Sequence, residues 1–327
     1  MTQWLGNKLP EILEDRLICT RCRVKLVPSG MGYICPNCGQ SFGVEEGIPV
    51  FWDHADNFKK SEADFYGQEA KNPSLASLVR NFYHSTRYDD KLVELQFKYL
   101  KPNGLILSLG GGDGSNSIIY LKRGFKILES DLAREMAKAA SIKFASLGYG
   151  EWAVAAIDAE AIPFNDGTFD AVFVCAALHQ MQGRDKVAME IGRCLKGGGH
   201  LVLSMEPAAW FYKVVRPLAE LLRIRSGQLG QQSVGDEANR GVSYRDILRF
   251  CETAGIKPRV VKPKYFLTGL LYHATEAAYR LLNVRARKRL TVRKWEVKLC
   301  NVLDSVITHL PLINKFPFYW VVIAEKP

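Results

Sequence analysis

The sequence predicts an α/β protein built on a parallel, doubly wound sheet, with a small cysteine-rich appendage at its N-terminus. Three observations predict it. Short apolar runs alternate with helical patterns between about residues 92 and 206; the first run is followed at once by a glycine-rich loop; and two C-x-x-C pairs precede them all.

At 327 residues the chain has room for one α/β domain plus an appendage. Hydrophobic residues make up 47% and charged residues 24%, enough apolar side chain to bury a core of that size. The opening MTQWLGNKLPEILEDR has no basic stretch followed by an apolar run, so no secretory leader is expected. No apolar run reaches the roughly 18–20 residues of a spanning helix, and the C-terminal apolar segments are broken by Glu276, Arg280, Asp304 and Pro311. The expected compartment is the cytoplasm, with Cys175, Cys194, Cys251 and Cys300 as reduced core thiols.

The net charge of +10 is uneven. From Lys257 to Pro327 there are 14 Lys and Arg against 4 Asp and Glu, leaving 30 of each in the first 256 residues. A solvated helix face is the simplest reading of such a surplus.

The four clustered cysteines are Cys19, Cys22, Cys35 and Cys38, with twelve residues between the pairs. Each C-x-x-C turns tightly enough for two thiolates to grip one ion, and two such turns supply a tetrahedral S₄ site whose usual occupant is zinc. A disulfide framework is the alternative, and it fits the paired spacing and a reducing compartment less well. A closed S₄ site has no open position, so the expected Zn²⁺ is structural. With Gly47-Ile48-Pro49-Val50-Phe51 behind it, the stretch from about 15 to 52 resembles the zinc-ribbon region of small methyltransferase-activator proteins. The resemblance implies an accessory module that packs on or extends the following domain.

The polar stretch from Asp53 to Pro73 reads as linker or lid, and Ser74 to Leu100 as helix, ended by Lys101-Pro102-Asn103-Gly104. Leu105 to Leu109 is then a strand, Gly110-Gly111-Gly112-Asp113-Gly114 a loop, and Ser115 to Arg123 a helix. In that order a backbone loop and a helix N-terminus both face a ligand. Phe125 to Asp131 reads as a second strand ending in an acid, placed to accept ribose hydroxyls. Ala153 to Glu160 ends a third strand in acids; Ala171 to Ala176 is a fourth, Asp185 to Leu195 a helix, Lys196 to Gly199 a turn and His200 to Ser204 a fifth strand.

The ordered segments LSLGGGDG, LESDLA, AIDAEAIPF, GTFDAVFV and RCLKGGGHLVLS resemble the class I S-adenosylmethionine-dependent methyltransferases, particularly their quinone-biosynthesis and small-molecule branch. The resemblance spans about Leu92 to Glu206. It implies a Rossmann-like seven-stranded sheet and S-adenosyl-L-methionine as cofactor. It places Gly110, Gly112 and Gly114 around the methionine part, Asp131 on the ribose, Asp158 on the adenine amine and Ala159 alongside. Asp170 becomes structural, and Ala176, Leu178 and His179 lie beneath the transferable methyl. The family usually has an acid at the position of Ser108, where it helps hold the cofactor's ammonium group; serine carries no charge, which leaves an inactive cofactor-binding protein as an alternative.

Beyond the fifth strand, Pro207 to Arg240 reads as an inserted substrate lid, and Ser243-Tyr244-Arg245-Asp246 opens a helix with an N-cap. Pro258 to Leu267 is expected as the sixth strand, and Tyr319 to Ala324 resembles the family's antiparallel seventh. Between them Thr268 to Leu312 forms a helical insertion carrying RARKRLTVRKWEVK, Arg285 to Lys298. Three readings fit it: a peripheral membrane contact accepting a lipid-linked substrate, an RNA contact aided by the ribbon, or a cap or dimer contact on the core. The domain reading is therefore ribbon 1–52, linker and helical lid 53–91, cofactor-binding core 92–206, and lid, insertion and last two strands 207–327. The expected function is methyl transfer to a small-molecule or lipid-linked acceptor, with RNA methylation as alternative. His179, Glu206 and Tyr244 are the side chains picked to handle an acceptor proton, with His84 behind them.

Overall fold

The computed structural model describes residues 9–30, 32–72, 91–148, 150–211, 213–214, 217, 233–235, 240–271, 274, 294–307, 310–311 and 316–327. The helical reading of 74–90 with His84, most of the lid after Phe211, and the basic run from Arg285 to Arg293 lie outside them.

A helical turn, α1 (Glu11–Glu14), leads into a small antiparallel sheet of β1 (Val27–Ser29), β2 (Gly32–Ile34), β3 (Ser41–Glu45) and β4 (Ile48–Pro49), paired in that order. Next come α2 (Asn57–Lys71), α3 (Lys91–Gln96), β5 (Leu105–Leu109), α4 (Ile118–Leu121), β6 (Lys126–Asp131), α5 (Arg134–Leu147) and β7 (Glu151–Ala156). The second half runs β8 (Phe169–Cys175), a 3₁₀ turn Leu178–Gln180, α6 (Arg184–Cys194), β9 (Leu195–Pro207), α7 (Tyr244–Thr253), β10 (Lys257–Lys264), α8 (Lys294–Ile307) and β11 (Tyr319–Glu325).

Seven strands form the main sheet in the order β10-β11-β9-β8-β5-β6-β7. β5 through β9 pair in parallel, and β11 inserts antiparallel between β9 and β10. All five residues of β5 are buried, the pattern of a central parallel strand covered on both faces. Its alternation divides the core: Leu105, Leu107 and Leu109 pack in one cluster, and Ile106 in the other with Tyr120 and Phe173. The chain leaves β5 towards β6 and β7, then returns to build β8 and β9 on the other side. That reversal opens a crevice at the carboxyl ends of β5 and β8, where open α/β sheets bind ligands.

Three elements differ from the sequence reading. The stretch from Asp53, read as linker or lid, is mostly helix: α2 occupies Asn57–Lys71, with Asp56 Oδ1 accepting from Phe58 N at 2.9 Å and Lys59 N at 3.2 Å. Its sequence NFKKSEADFYGQEAK lacks a continuous apolar stripe, so periodicity did not reveal it. The helix is held by close approach to α5, where a Cβ on Gly67 would sit 3.0 Å from Glu135 Oε2. The helix after the glycine loop is one turn, α4, shorter than Ser115 to Arg123. Lys196 to Gly199 lies within β9, because Gly198 N and Lys326 N bond across to Lys326 O and Gly199 O at 2.8 and 2.9 Å. At α7 the cap is complete: Ser243 and Asp246 exchange bonds with each other's backbone N–H.

The ribbon is joined to the main sheet by backbone. Val50 bridges Ala156 in parallel, Phe51 N donates to Ala156 O at 2.8 Å, and Ile18 N donates to Pro163 O at 3.0 Å. Arg23, directly after the first cysteine pair, forks onto Glu190 of α6, whose Oε2 also accepts from Ile162 N at 2.9 Å.

Helix α8 is turned inside out. Its buried Asp304 accepts from the N–H groups of Phe266, Leu267 and Thr268 at 3.1, 2.7 and 3.0 Å. Trp295, Leu299, Val302 and Val306 are 51–67% exposed.

Candidate functional site

The crevice is a cavity of 320 Å³, walled by the glycine loop, the ends of β6 and β7, the segment after β8, and α2. Gly110 and Gly114 explain the loop's composition. Both lie at positive φ, +60° and +73°. A Cβ on Gly110 would meet Ala177 Cβ at 2.7 Å, and one on Gly114 the Phe144 ring at 2.5 Å. Backbone replaces side chain there, which lets a ligand approach the loop closely.

Asp131 closes β6 and lines the cavity. Its Oδ2 accepts from Gly112 N at 3.0 Å and Oδ1 from Ala133 N at 2.9 Å. Burial raises its carboxyl to about 6 despite those bonds. Asp158, just past β7, accepts from Glu160 N at 2.9 Å through Oδ1 and from Lys59 Nζ at 2.7 Å through Oδ2. Lys59 also pairs with Glu160 at 3.2 Å, so α2 is fastened across the cavity's acidic end. Burial disfavours the Lys59 ammonium, but the two carboxylates outweigh it and raise its pKa. Burial likewise opposes an ionised Asp113, and the Lys143 ammonium prevails, holding it below the usual carboxylate range.

Ala159 and Ala176 line the cavity, Ala176 at φ +52°. Asp170 sits at the start of β8, accepting from Leu105 N at 3.0 Å and from Lys196 Nζ at 2.9 Å. Ser108 is buried beneath the loop, outside the cavity wall, and donates to Glu129 Oε1 at 2.9 Å.

None of His179, Glu206 and Tyr244 lines the cavity. Glu206 accepts from Ala177, Leu178 and His179 N–H at 3.0, 3.1 and 3.1 Å, and His179 Nδ1 lies 3.0 Å from its Oε2. The carboxylate and imidazole are thus used in fixing the 3₁₀ turn. Tyr244 is 53% exposed in the first turn of α7, its ring 6.1 Å from that of Trp320. Leu178 is buried. The cavity wall instead holds Tyr66, Gln180, Met181 and Gln182, with Gln180 Nε2 donating to Tyr66 Oη at 2.6 Å. Sequence reasoning missed Lys59 and Tyr66 because α2 read as linker or lid with no helical pattern, and Lys143 because nothing in a surface helix's pattern shows which lysine folds inward.

The four cysteine Sγ atoms all lie within 4.8 Å of one another, with Cys22–Cys35 at 3.3 Å and Cys19–Cys38 at 3.6 Å. A tetrahedral Zn–S₄ centre with bonds near 2.3 Å needs edges of about 3.8 Å, so the donor set fits one such ion.

Residues 107–203 match the family described as a methyltransferase domain. The chain carries a class I, S-adenosylmethionine-dependent methyltransferase domain. Over 207 residues the protein is 28% identical to the ubiquinone/menaquinone biosynthesis C-methyltransferase UbiE of Cupriavidus pinatubonensis, covering 57% of this chain and 81% of that one. It is 30% identical over 118 residues to the demethylmenaquinone methyltransferase of Thermobifida fusca, 36% of this chain and 48% of that one. Among solved structures, the geranyl diphosphate C-methyltransferase of Streptomyces coelicolor shares the fold with a TM-score of 0.52 at 15% identity, over 83% of this chain and 98% of that one. The family match thus covers the middle of the chain, between the four-cysteine segment and the last two strands of the sheet. No helix among the described residues is long and apolar enough to cross a membrane.

Proposed function

We propose that the chain transfers a methyl group from S-adenosylmethionine to a small, lipid-soluble acceptor. The observation that carries this is the cavity itself: a glycine loop that brings backbone to the ligand, with Asp131 and Asp158 at the ends of adjacent strands. When bound, the cofactor supplies an electrophilic methyl on a sulfonium. Gly110, Gly112 and Gly114 would cradle its methionine part, Asp131 would accept the ribose hydroxyls, and Asp158 with Ala159 would meet the adenine. In-line transfer then depends mainly on alignment. The wall of Ala176, Ala177 and Met181 and the Tyr66–Gln180 pair are placed to align an acceptor. With His179 and Glu206 holding the turn, a nucleophile activated by its own electron-rich carbon framework suits the site better than one needing a strong enzyme base.

The names of the relatives, which speak of quinone biosynthesis, support that acceptor class. The exposed apolar face of α8, together with the surplus of basic residues in the sequence from Lys257 on, supports a peripheral contact with an anionic membrane from which such an acceptor would be drawn. The ribbon at 1–52 would be a structural module and α2 the lid.

Two measurements test this. Radiolabelled S-adenosylmethionine offered with prenylated quinol, sterol and isoprenoid diphosphate acceptors should label at least one extractable product; labelling only of co-purified RNA contradicts the proposal. Cosedimentation with anionic but not zwitterionic vesicles, lost in Leu299→Asp/Val302→Asp, supports the membrane contact, and equal recovery of both proteins opposes it.

A further inference from the structure

Ser108 and Glu129 are register partners on the parallel strands β5 and β6. Position 108 faces the side of the sheet that carries Tyr120, and lacks a carboxylate. Glu129, fully buried, brings one to the same point: Ser108 Oγ donates to its Oε1 at 2.9 Å, and Ser117 Oγ donates to Ser108 Oγ at 3.3 Å. The carboxylate reaches under the glycine loop. A Cβ on Gly111 would fall 1.5 Å from Glu129 Oε1 and 2.6 Å from Ser108 Oγ, so Gly111 is glycine because this group fills the space below it. Gly111 itself lines the cavity. The second oxygen, Oε2, is buried with no hydrogen-bond partner among the described residues. A buried carboxylate left half-satisfied is costly unless a function retains it.

We propose that Glu129 supplies, from the neighbouring strand, the carboxylate that position 108 lacks, acting as the positioning residue of the glycine loop and as counter-charge for the cofactor's cationic methionine end. The inference rests on the cofactor reading above and adds a residue to it. Its surroundings set how it works. Ser108, Ser117, Tyr120 and Cys175 face this region from β5, the loop before α4, α4 and β8, while Asp113 and Asp131 repel a negative charge. Burial, the larger effect, pushes Glu129 up to about 8 against the nearby Ser117 and Ser108 hydroxyls. In the empty protein at neutral pH the group therefore carries its proton. A cation arriving above Gly111 favours the ionised form, so binding of an amino-acid-bearing ligand drives that proton from Glu129 to solvent.

Two ligands separate this role from a structural one. S-adenosylhomocysteine carries the amino-acid end; 5′-methylthioadenosine lacks it and keeps the adenosine. Titration calorimetry on the full chain at pH 7, in buffers of different ionisation enthalpy, should show proton release with the first and little with the second. Glu129→Gln, isosteric with the protonated acid and therefore expected to fold, should weaken S-adenosylhomocysteine by about tenfold and leave 5′-methylthioadenosine within about twofold. Ser108→Asp/Glu129→Gly should restore the first affinity. Equal weakening of both ligands, unchanged S-adenosylhomocysteine affinity in Glu129→Gln, or no proton release from the wild type would overturn the proposal. Wild-type protein that binds neither ligand would instead count against the cofactor reading itself.

Discussion

Lys59 of α2 donates to Asp158, at the end of β7, across 2.7 Å. The contact spans 99 residues and joins a polar N-terminal helix to an acid lining the cavity. Both side chains are largely shielded, 17% and 14% exposed, so the pair is worth more than a surface ion pair. Lys59→Ala removes a charged hydrogen bond of about 2 kcal/mol. The expected outcome is faster amide exchange across Asn57–Lys71, with exchange in β5 and β8 unchanged. Uniform exchange in variant and wild type would show that α2 is held by other contacts.

Glu206 gathers three backbone N–H groups and the His179 imidazole. Glu206→Ala leaves those donors buried without partners and should lower unfolding free energy by about 3 kcal/mol in denaturant titration. Tyr244→Phe, at an exposed ring outside the cavity, should leave stability and turnover unchanged.

Asp131 has its carboxyl raised to about 6 by burial. Under the proposed cofactor reading, its ionised form is the one that would accept the ribose hydroxyls. Affinity for 5′-methylthioadenosine should therefore rise as pH increases from about 5 to 7 and level off above. The same shift makes the empty fold less stable as pH rises from the ordinary value of 3.8 to about 6, because the native state holds the proton longer than the unfolded chain. Asp131→Asn should flatten the binding profile at a low affinity.

The ribbon and the core share a chain of contacts from Arg23 to Glu190 to Ile162 N. A chelator that strips the four-cysteine site should lower the thermal midpoint and expose the amides of Ile18 and Asn165, which bond to Pro163 O and Arg16 O at 3.0 and 2.9 Å. Unchanged exchange at both amides would uncouple the ribbon from the segment after Asp158.

These tests divide along what the residues could announce. The zinc-type spacing of Cys19, Cys22, Cys35 and Cys38 and the strand–glycine–helix order around Gly110 are local patterns, and the seven-stranded sheet comes from the family resemblance of the five ordered segments. β11 was legible because Tyr319 to Ala324 resembles the family's antiparallel last strand, and its burial between β9 and β10 agrees. α2 was not, since its fastening comes from Lys59 and Gly67 meeting distant partners. The fate of Glu206 was also hidden: a carboxylate after a strand looks the same whether it faces acceptor or backbone. The relation of Ser108 to Glu129 depends on parallel register, which a single strand's sequence does not carry.

The central claim is that the crevice binds an S-adenosyl ligand through the glycine loop and Asp131. Isothermal titration of the full chain with S-adenosylhomocysteine tests it most directly. The account predicts one site per chain, saturable at micromolar ligand and lost in Asp131→Ala. No heat at millimolar ligand, or undiminished binding by that variant, would contradict it.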